Sequence, residues 1–131
     1  MIVLDTHVLV WWASGDARLS GRAQEVIERE RRDGEVLVSA ISAWEVAMLV
    51  KAGRLVLAMD AAAWLDTVAQ VPGLHFVPVD VPISVQSVDL PGDFHKDPAD
   101  RLIVATARHS GAPLVTADLK IRSYPHVQTV W

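Results

Sequence analysis

Short apolar runs alternate with helical patterns along the chain. Ile2 to Leu4 is the first run, and Glu35 to Val38, Leu74 to Val79, Pro113 to Thr116 and Val127 to Val130 follow. Runs one and four have no polar face, the signature of strands buried on both sides in a parallel sheet. Between the runs, helical spacing appears around Leu9, Trp11 and Trp12. It recurs from a Ser20 cap through Arg32 to a stop at Asp33-Gly34, and from Ser39 or Ser42 to Ala52, ended by Gly53. Further helices are expected from Asp60 to Gln70, closed by Pro72-Gly73, over Pro82 to Val88, and from Asp97-Pro98 to Gly111. This alternation predicts an α/β fold. Leu90 to Lys96 is the least regular stretch and reads as a loop. No internal repeat or low-complexity linker divides the chain, so residues 1–131 read as one domain.

Strands one and four both run into an aspartate: Met1-Ile2-Val3-Leu4 delivers Asp5, and Pro113-Leu114-Val115 delivers Thr116-Ala117-Asp118. In open α/β sheets ligands sit just beyond the carboxyl ends of such strands. Two more acids stand at helix starts, Glu45 and Asp100. Each has a structural alternative. Ser42-Ala43-Trp44-Glu45 fits a capping box, Asp97-Pro98 looks like a helix cap, and Asp118 can open a helical turn. Asp97 and Asp100 lie three residues apart on one helix face, so one can cap while the other enters a crevice.

Magnitude favours a cation. Two carboxylates ~4 Å apart repel by roughly 4 kcal/mol at an effective dielectric of about 20, a large share of a domain's stability. A convergent quartet also stores repulsion, so Asp5→Asn is expected to stabilise the metal-free protein. With no cysteine in 131 residues, disulfides, zinc-thiolate sites and a cysteine nucleophile are excluded, in keeping with a reducing cytoplasm. Oxygen ligands select hard ions such as Mg2+ or Mn2+, which bind phosphates. The implied reaction is metal-assisted phosphodiester hydrolysis.

A formal charge of -4 argues against a broadly basic surface that coats phosphates, unless the acids are gathered in one site and neutralised there. No run approaches a membrane span, and the N-terminal run, broken by Asp5, does not read as a signal peptide.

Four motifs now stand in order: Met1-Ile2-Val3-Leu4-Asp5-Thr6-His7, Ile41-Ser42-Ala43-Trp44-Glu45-Val46, His95-Lys96-Asp97-Pro98-Ala99-Asp100-Arg101-Leu102-Ile103-Val104-Ala105 and Leu114-Val115-Thr116-Ala117-Asp118. Together they resemble the PIN-domain ribonucleases, specifically VapC-like toxins of bacterial toxin-antitoxin pairs. The resemblance implies an open parallel sheet in order 3-2-1-4-5 with helices on both faces. It also implies a divalent-metal-dependent endoribonuclease cleaving single-stranded or loop RNA. Asp5, Glu45, Asp100 and Asp118 become the acidic quartet, with Asp5, Asp100, Asp118 and the variant-motif Asp97 as metal ligands. Thr6 and Thr116 support the site by hydrogen bonding. Lys96, Arg101 and Lys120 are candidate RNA-binding side chains by proximity. A cognate antitoxin, a homodimer and a cytoplasmic location follow from the same likeness.

Two rivals remain at this point. A haloacid-dehalogenase-type phosphotransfer enzyme wants a second aspartate two residues after the first, where this chain has His7. A catalytically silent binding module keeps the fold but has no need of the costly acids, all of which are present. The five histidines show no ligand spacing on one helical face, and His7 and His95 read first as ordinary neighbours of the motifs. The five tryptophans read as core or interface anchors. Adjacent Trp11 and Trp12 cannot both face one core, so one of them is expected to meet a partner.

Overall fold

The computed structural model describes residues 1–131. Twelve elements follow in the order β1 (Ile2–Leu4), α1 (Thr6–Ser14), α2 (Gly21–Asp33), β2 (Val36–Ser39), α3 (Ala40–Lys51), α4 (Ala61–Ala69), β3 (Leu74–Val77), α5 (Val81–Val88), α6 (Pro98–Ser110), β4 (Leu114–Val115), α7 (Leu119–Arg122) and β5 (Thr129–Val130). The strands form one sheet in the expected order β3-β2-β1-β4-β5, every pair parallel.

Strand alternation divides the interior into two cores. Ile2, Leu4, Val36, Val38 and Val115 point to one face, where Val8, Leu9, Val26, Ile27 and Val68 of α1, α2 and α4 cover them. Val3, Leu37 and Leu114 point to the other, against Ile83, Ile103, Val104 and Ile121 of α5, α6 and α7. A sheet sealed on both faces explains why its central strands carry no polar face. No helix is long and apolar enough to cross a membrane.

Several boundaries differ from expectation for local reasons. β3 ends at Val77 because its partner β2 ends at Ser39, with which Val77 pairs. α3 begins at Ala40 with Ser39 as its cap, the Ser39 hydroxyl accepting the Ile41 N–H at 3.2 Å. Gly73 precedes β3 at φ 83°, and a Cβ there would strike the Arg31 carbonyl, so the tight entry requires glycine.

β1 pairs with β2 on one side and β4 on the other, and the chain leaves them in different directions. Their carboxyl ends open a crevice at this switch point.

Candidate active site

Asp5 follows β1 directly and caps α1, its Oδ1 accepting the Thr6 N–H at 2.8 Å. Its Oδ2 accepts the Thr116 hydroxyl at 2.7 Å, across 111 residues of sequence. Thr116 Oγ1 in turn accepts the Asp118 N–H at 3.0 Å. One buried hydroxyl thus fixes Asp5 and the Asp118 backbone together at the ends of adjacent strands. Asp118 caps α7 through Oδ1, which accepts Lys120 N–H at 2.8 Å and Ile121 N–H at 3.4 Å. The cap and the site are therefore not alternatives, because one carboxylate oxygen serves each.

Glu45 is not the closing residue of a capping box. Ser39 caps α3, so Ser42 lies inside the helix, buried, and Glu45 reaches α1: the Thr6 hydroxyl donates to Glu45 Oε1 at 2.6 Å and lies 2.8 Å from Ser42 Oγ. Ser42 is thus a supporting residue that sequence reasoning assigned to a different role. Asp97 caps α6 by accepting the Asp100 N–H at 2.9 Å and remains exposed. Asp100, in the same first turn, enters the crevice.

Asp5, Glu45, Asp100 and Asp118 line one cavity of about 330 Å³, with Thr6 and His7 between them. Burial raises the Asp100 carboxyl to about 7, and Asp5, Asp97, Asp118 and Glu45 add repulsion to that effect. Glu45 is likewise raised by burial, with an opposing pull from the Thr6 hydrogen bond and a push from Asp5 and Asp97. Exposed Asp97 therefore acts on the site through its charge although it does not line the cavity.

Both histidines beside the motifs are structural partners of these acids. His7 Nε2 accepts the Ala117 N–H at 3.1 Å, so its proton sits on Nδ1, 3.5 Å from Asp5 Oδ2. His95 Nδ1 accepts the Asp97 N–H at 3.4 Å, and its Nε2 lies 3.1 Å from Asp100 Oδ2 without a well-directed bond. Their positions next to Thr6 and Asp97 in the motifs were the only available signal.

No group of three or more His, Asp or Glu side chains forms a ready-made metal cage. Magnesium and manganese do not need one, since they take one or two carboxylates and complete their shells with waters and phosphate oxygens. An all-oxygen donor set with two carboxyls held above their usual range fits such an ion, whose arrival relieves the repulsion.

Arg101, a candidate for RNA contact by its place in the sequence, turns its side chain to the end of α5 and the loop that follows. Its guanidinium donates to the main-chain carbonyls of Ser87 at 2.8 Å, Phe94 at 3.0 Å, His95 at 3.1 Å and Val88 at 3.1 Å. Arg101 is a clasp that folds the loop after α5 back toward α6 and seats His95 beside Asp100. Losing several charge-assisted bonds at once is expected to cost about 2 to 4 kcal/mol in Arg101→Ala. Chemical denaturation checks this, and a change under about 0.5 kcal/mol, the level of an ordinary surface substitution, would refute the clasp. Lys96 and Lys120 are exposed and neither lines the acidic cavity.

Trp12 packs at the edge of the first core and donates to Glu28 Oε1 at 3.1 Å. Trp11 turns the other way, into the acidic cavity, together with Arg18 and Arg54. It thus faces the crevice.

Comparison with known proteins agrees with this geometry. The family model described as "PIN domain" matches residues 2–127. Ribonuclease VapC22 of Mycobacterium tuberculosis is 39% identical over 132 residues, spanning 99% of this chain and 98% of that protein. Among solved structures, VapBC2 from Rickettsia felis bound to a promoter DNA fragment is similar with a TM-score of 0.71 and 18% identity, covering 98% of this chain and 97% of that one. FitAcB from Neisseria gonorrhoeae is similar with a TM-score of 0.69 and 20% identity, covering 98% and 96%. The acids at the strand ends, the strand order and the match along nearly the whole length agree: the chain belongs to the PIN-domain family, among its VapC-type members.

Proposed function

We propose that this protein is a magnesium- or manganese-dependent endoribonuclease that cleaves single-stranded or loop RNA in the cytoplasm and acts as the toxin of a toxin-antitoxin pair. The observation that carries the reading is the convergence of Asp5, Glu45, Asp100 and Asp118 on one cavity at the switch point of a PIN sheet. Nucleases of this family are divalent-metal dependent in general. The 39% identity to a named ribonuclease supports RNA as the substrate.

In this reading Asp5, Asp100 and Asp118 hold the ion, with Asp97 adding charge from its cap position. A divalent ion there lowers the pKa of water, neutralises phosphate charge and stabilises the leaving oxygen. The rest is positioning by the chain. Thr116 ties Asp5 Oδ2 to the Asp118 backbone, and Thr6 with Ser42 holds Glu45 by Oε1, which leaves its other oxygen to take a proton from the attacking water. Single-stranded RNA suits such a crevice because its backbone can be splayed into it.

An apolar groove lined by Trp12, Met59, Trp64, Val68 and Val71 suits the apolar face of an antitoxin helix. Exposed Val81, Val85 and Val88 recur along one face of α5 and support a homodimer. Incubation with transfer RNA and unstructured RNA, with and without EDTA, tests the activity, while light scattering of the free protein tests the dimer. Magnesium-restored cleavage is expected, and cleavage unchanged by EDTA would exclude the mechanism.

A further inference from the structure

Asp5, His7, Trp11 and Arg18 form a line of contacts running out of the acidic centre. The His7 and Trp11 rings lie 4.8 Å apart, one turn along α1, and the Arg18 guanidinium carbon sits 4.9 Å above the Trp11 ring. Trp131 braces Trp11 from the side at 5.9 Å. Arg18 is held as a fixed plane, because Nε and Nη2 both donate to the Asp16 carboxylate, at 3.1 and 2.7 Å. The Arg18 side chain is nevertheless 68% exposed, and a solvent-facing pair of this kind contributes little to stability. Trp11 and Arg18 line the same cavity as the carboxylates, as does Arg54, an exposed cation that makes no ion pair.

Three properties of this arm point to one ligand chemistry. A guanidinium fixed over an indole can serve as a stacking platform, and unpaired bases stack on arginine planes as well as on aromatic rings. Asp16 already balances the charge of Arg18, so what Arg18 offers a ligand is chiefly its plane. Arg54 offers an unbalanced charge to a phosphate. The whole cavity, at about 330 Å³, falls within the roughly 300 to 1,000 Å³ of pockets that enclose small ligands.

We infer that this arm is a nucleotide subsite: the base next to the scissile phosphate stacks on the Arg18 plane backed by Trp11, and its flanking phosphate is held by Arg54. The inference rests on the RNA-cleaving reading for the identity of the ligand. It replaces Lys96, Arg101 and Lys120 as the groups that grip the strand, and it makes Trp11 a positioning residue that backs the Arg18 plane.

The test reads binding without cleavage. Fluorescein-labelled single-stranded oligoribonucleotides, each abasic at one position, are titrated in magnesium against Asp100→Asn protein, with fluorescence anisotropy as the signal. One position should prove sensitive, with base removal weakening binding about tenfold to a hundredfold. Adding Arg18→Ala should weaken the intact RNA by a similar factor and erase the sensitivity at that position alone. Arg18→Lys keeps the charge but not the plane, and should behave like Arg18→Ala. Trp11→Phe should retain most of the binding that Trp11→Ala loses, and Arg54→Ala should weaken every oligonucleotide alike and flatten the salt dependence. Two results would overturn the subsite: the same base sensitivity with and without Arg18, or full rescue by Arg18→Lys. Arg18 is exposed, so its variants stay folded even where Trp11→Ala does not. Failure of this binding cycle leaves the nuclease reading standing. Absence of magnesium-dependent cleavage by the wild type sinks that reading and not the binding cycle.

Discussion

Asp100→Asn is expected to abolish RNA cleavage and, in EDTA at pH 8, to make the protein more stable. The Asp100 carboxyl is half-buried near four other acids and holds its proton up to about 7 in the folded, metal-free protein, whereas in the unfolded chain it ionises near 3.8. Between those values the folded state binds the extra proton, so this group's contribution to stability falls as pH rises, and above about 7 the full penalty is present. Solvent at the open side of the site screens part of that penalty, which leaves about 1 to 3 kcal/mol, and asparagine removes it while nearly preserving shape. The difference in stability between Asp100→Asn and wild type should be near zero at pH 4 and grow through pH 7. Magnesium should raise the wild type's melting temperature through preferential binding to the folded state, and the variant's by less. A variant no more stable than wild type at pH 8 in EDTA would mean that the carboxylates do not strain one another and that the acidic centre has been misread.

Asp5 and Asp118 were legible because two strands without a polar face both run into an aspartate, a repetition that capping alone, which each of them also performs, does not call for. The sheet order followed from the family motifs, and the end of β3 slipped because its partner strand stops where Val77 pairs with Ser39. Glu45 was ambiguous for a specific reason. Two serines precede it, and only the backbone conformation at Ser39 decides which one caps α3 and hence whether Glu45 turns back on its own helix or crosses to Thr6. The clasp made by Arg101 was not legible because its four carbonyl partners lie in the last turn of α5 and in the irregular chain after it, where no periodicity announces that a loop needs a clasp. Trp11 and Arg18 were missed because their meeting depends on the turn after α1, where Asp16 fixes the guanidinium, and hydrophobic spacing does not encode that turn.

The structure also moves the expected gain in stability away from Asp5. Asp5→Asn should lose RNA cleavage by about a hundredfold to a thousandfold, since a ligand to the ion contributes several kcal/mol and each 1.36 kcal/mol is a factor of ten. It should not stabilise the metal-free protein. Asp5 is 4% exposed, and both its oxygens are acceptors with donors already aimed at them: the Thr6 N–H at one and the Thr116 hydroxyl at the other, with His7 Nδ1 3.5 Å from the latter. Asparagine turns one of those oxygens into an NH2 group facing a donor, and a buried mismatch of this kind costs about 1 to 3 kcal/mol, enough to offset the repulsion relieved. The loss should also reach further than Asp5 itself, because Thr116 would have to give up its bond to Oδ2 and with it the orientation that lets its oxygen accept the Asp118 N–H. Thermal melts in EDTA at pH 8 therefore separate two acids of one site: Asp100→Asn above wild type, Asp5→Asn level with it or below. Should Asp5→Asn instead melt clearly above wild type, like-charge repulsion would outweigh the hydrogen bonds, and Asp5 would be a pure ligand held in place by the sheet alone.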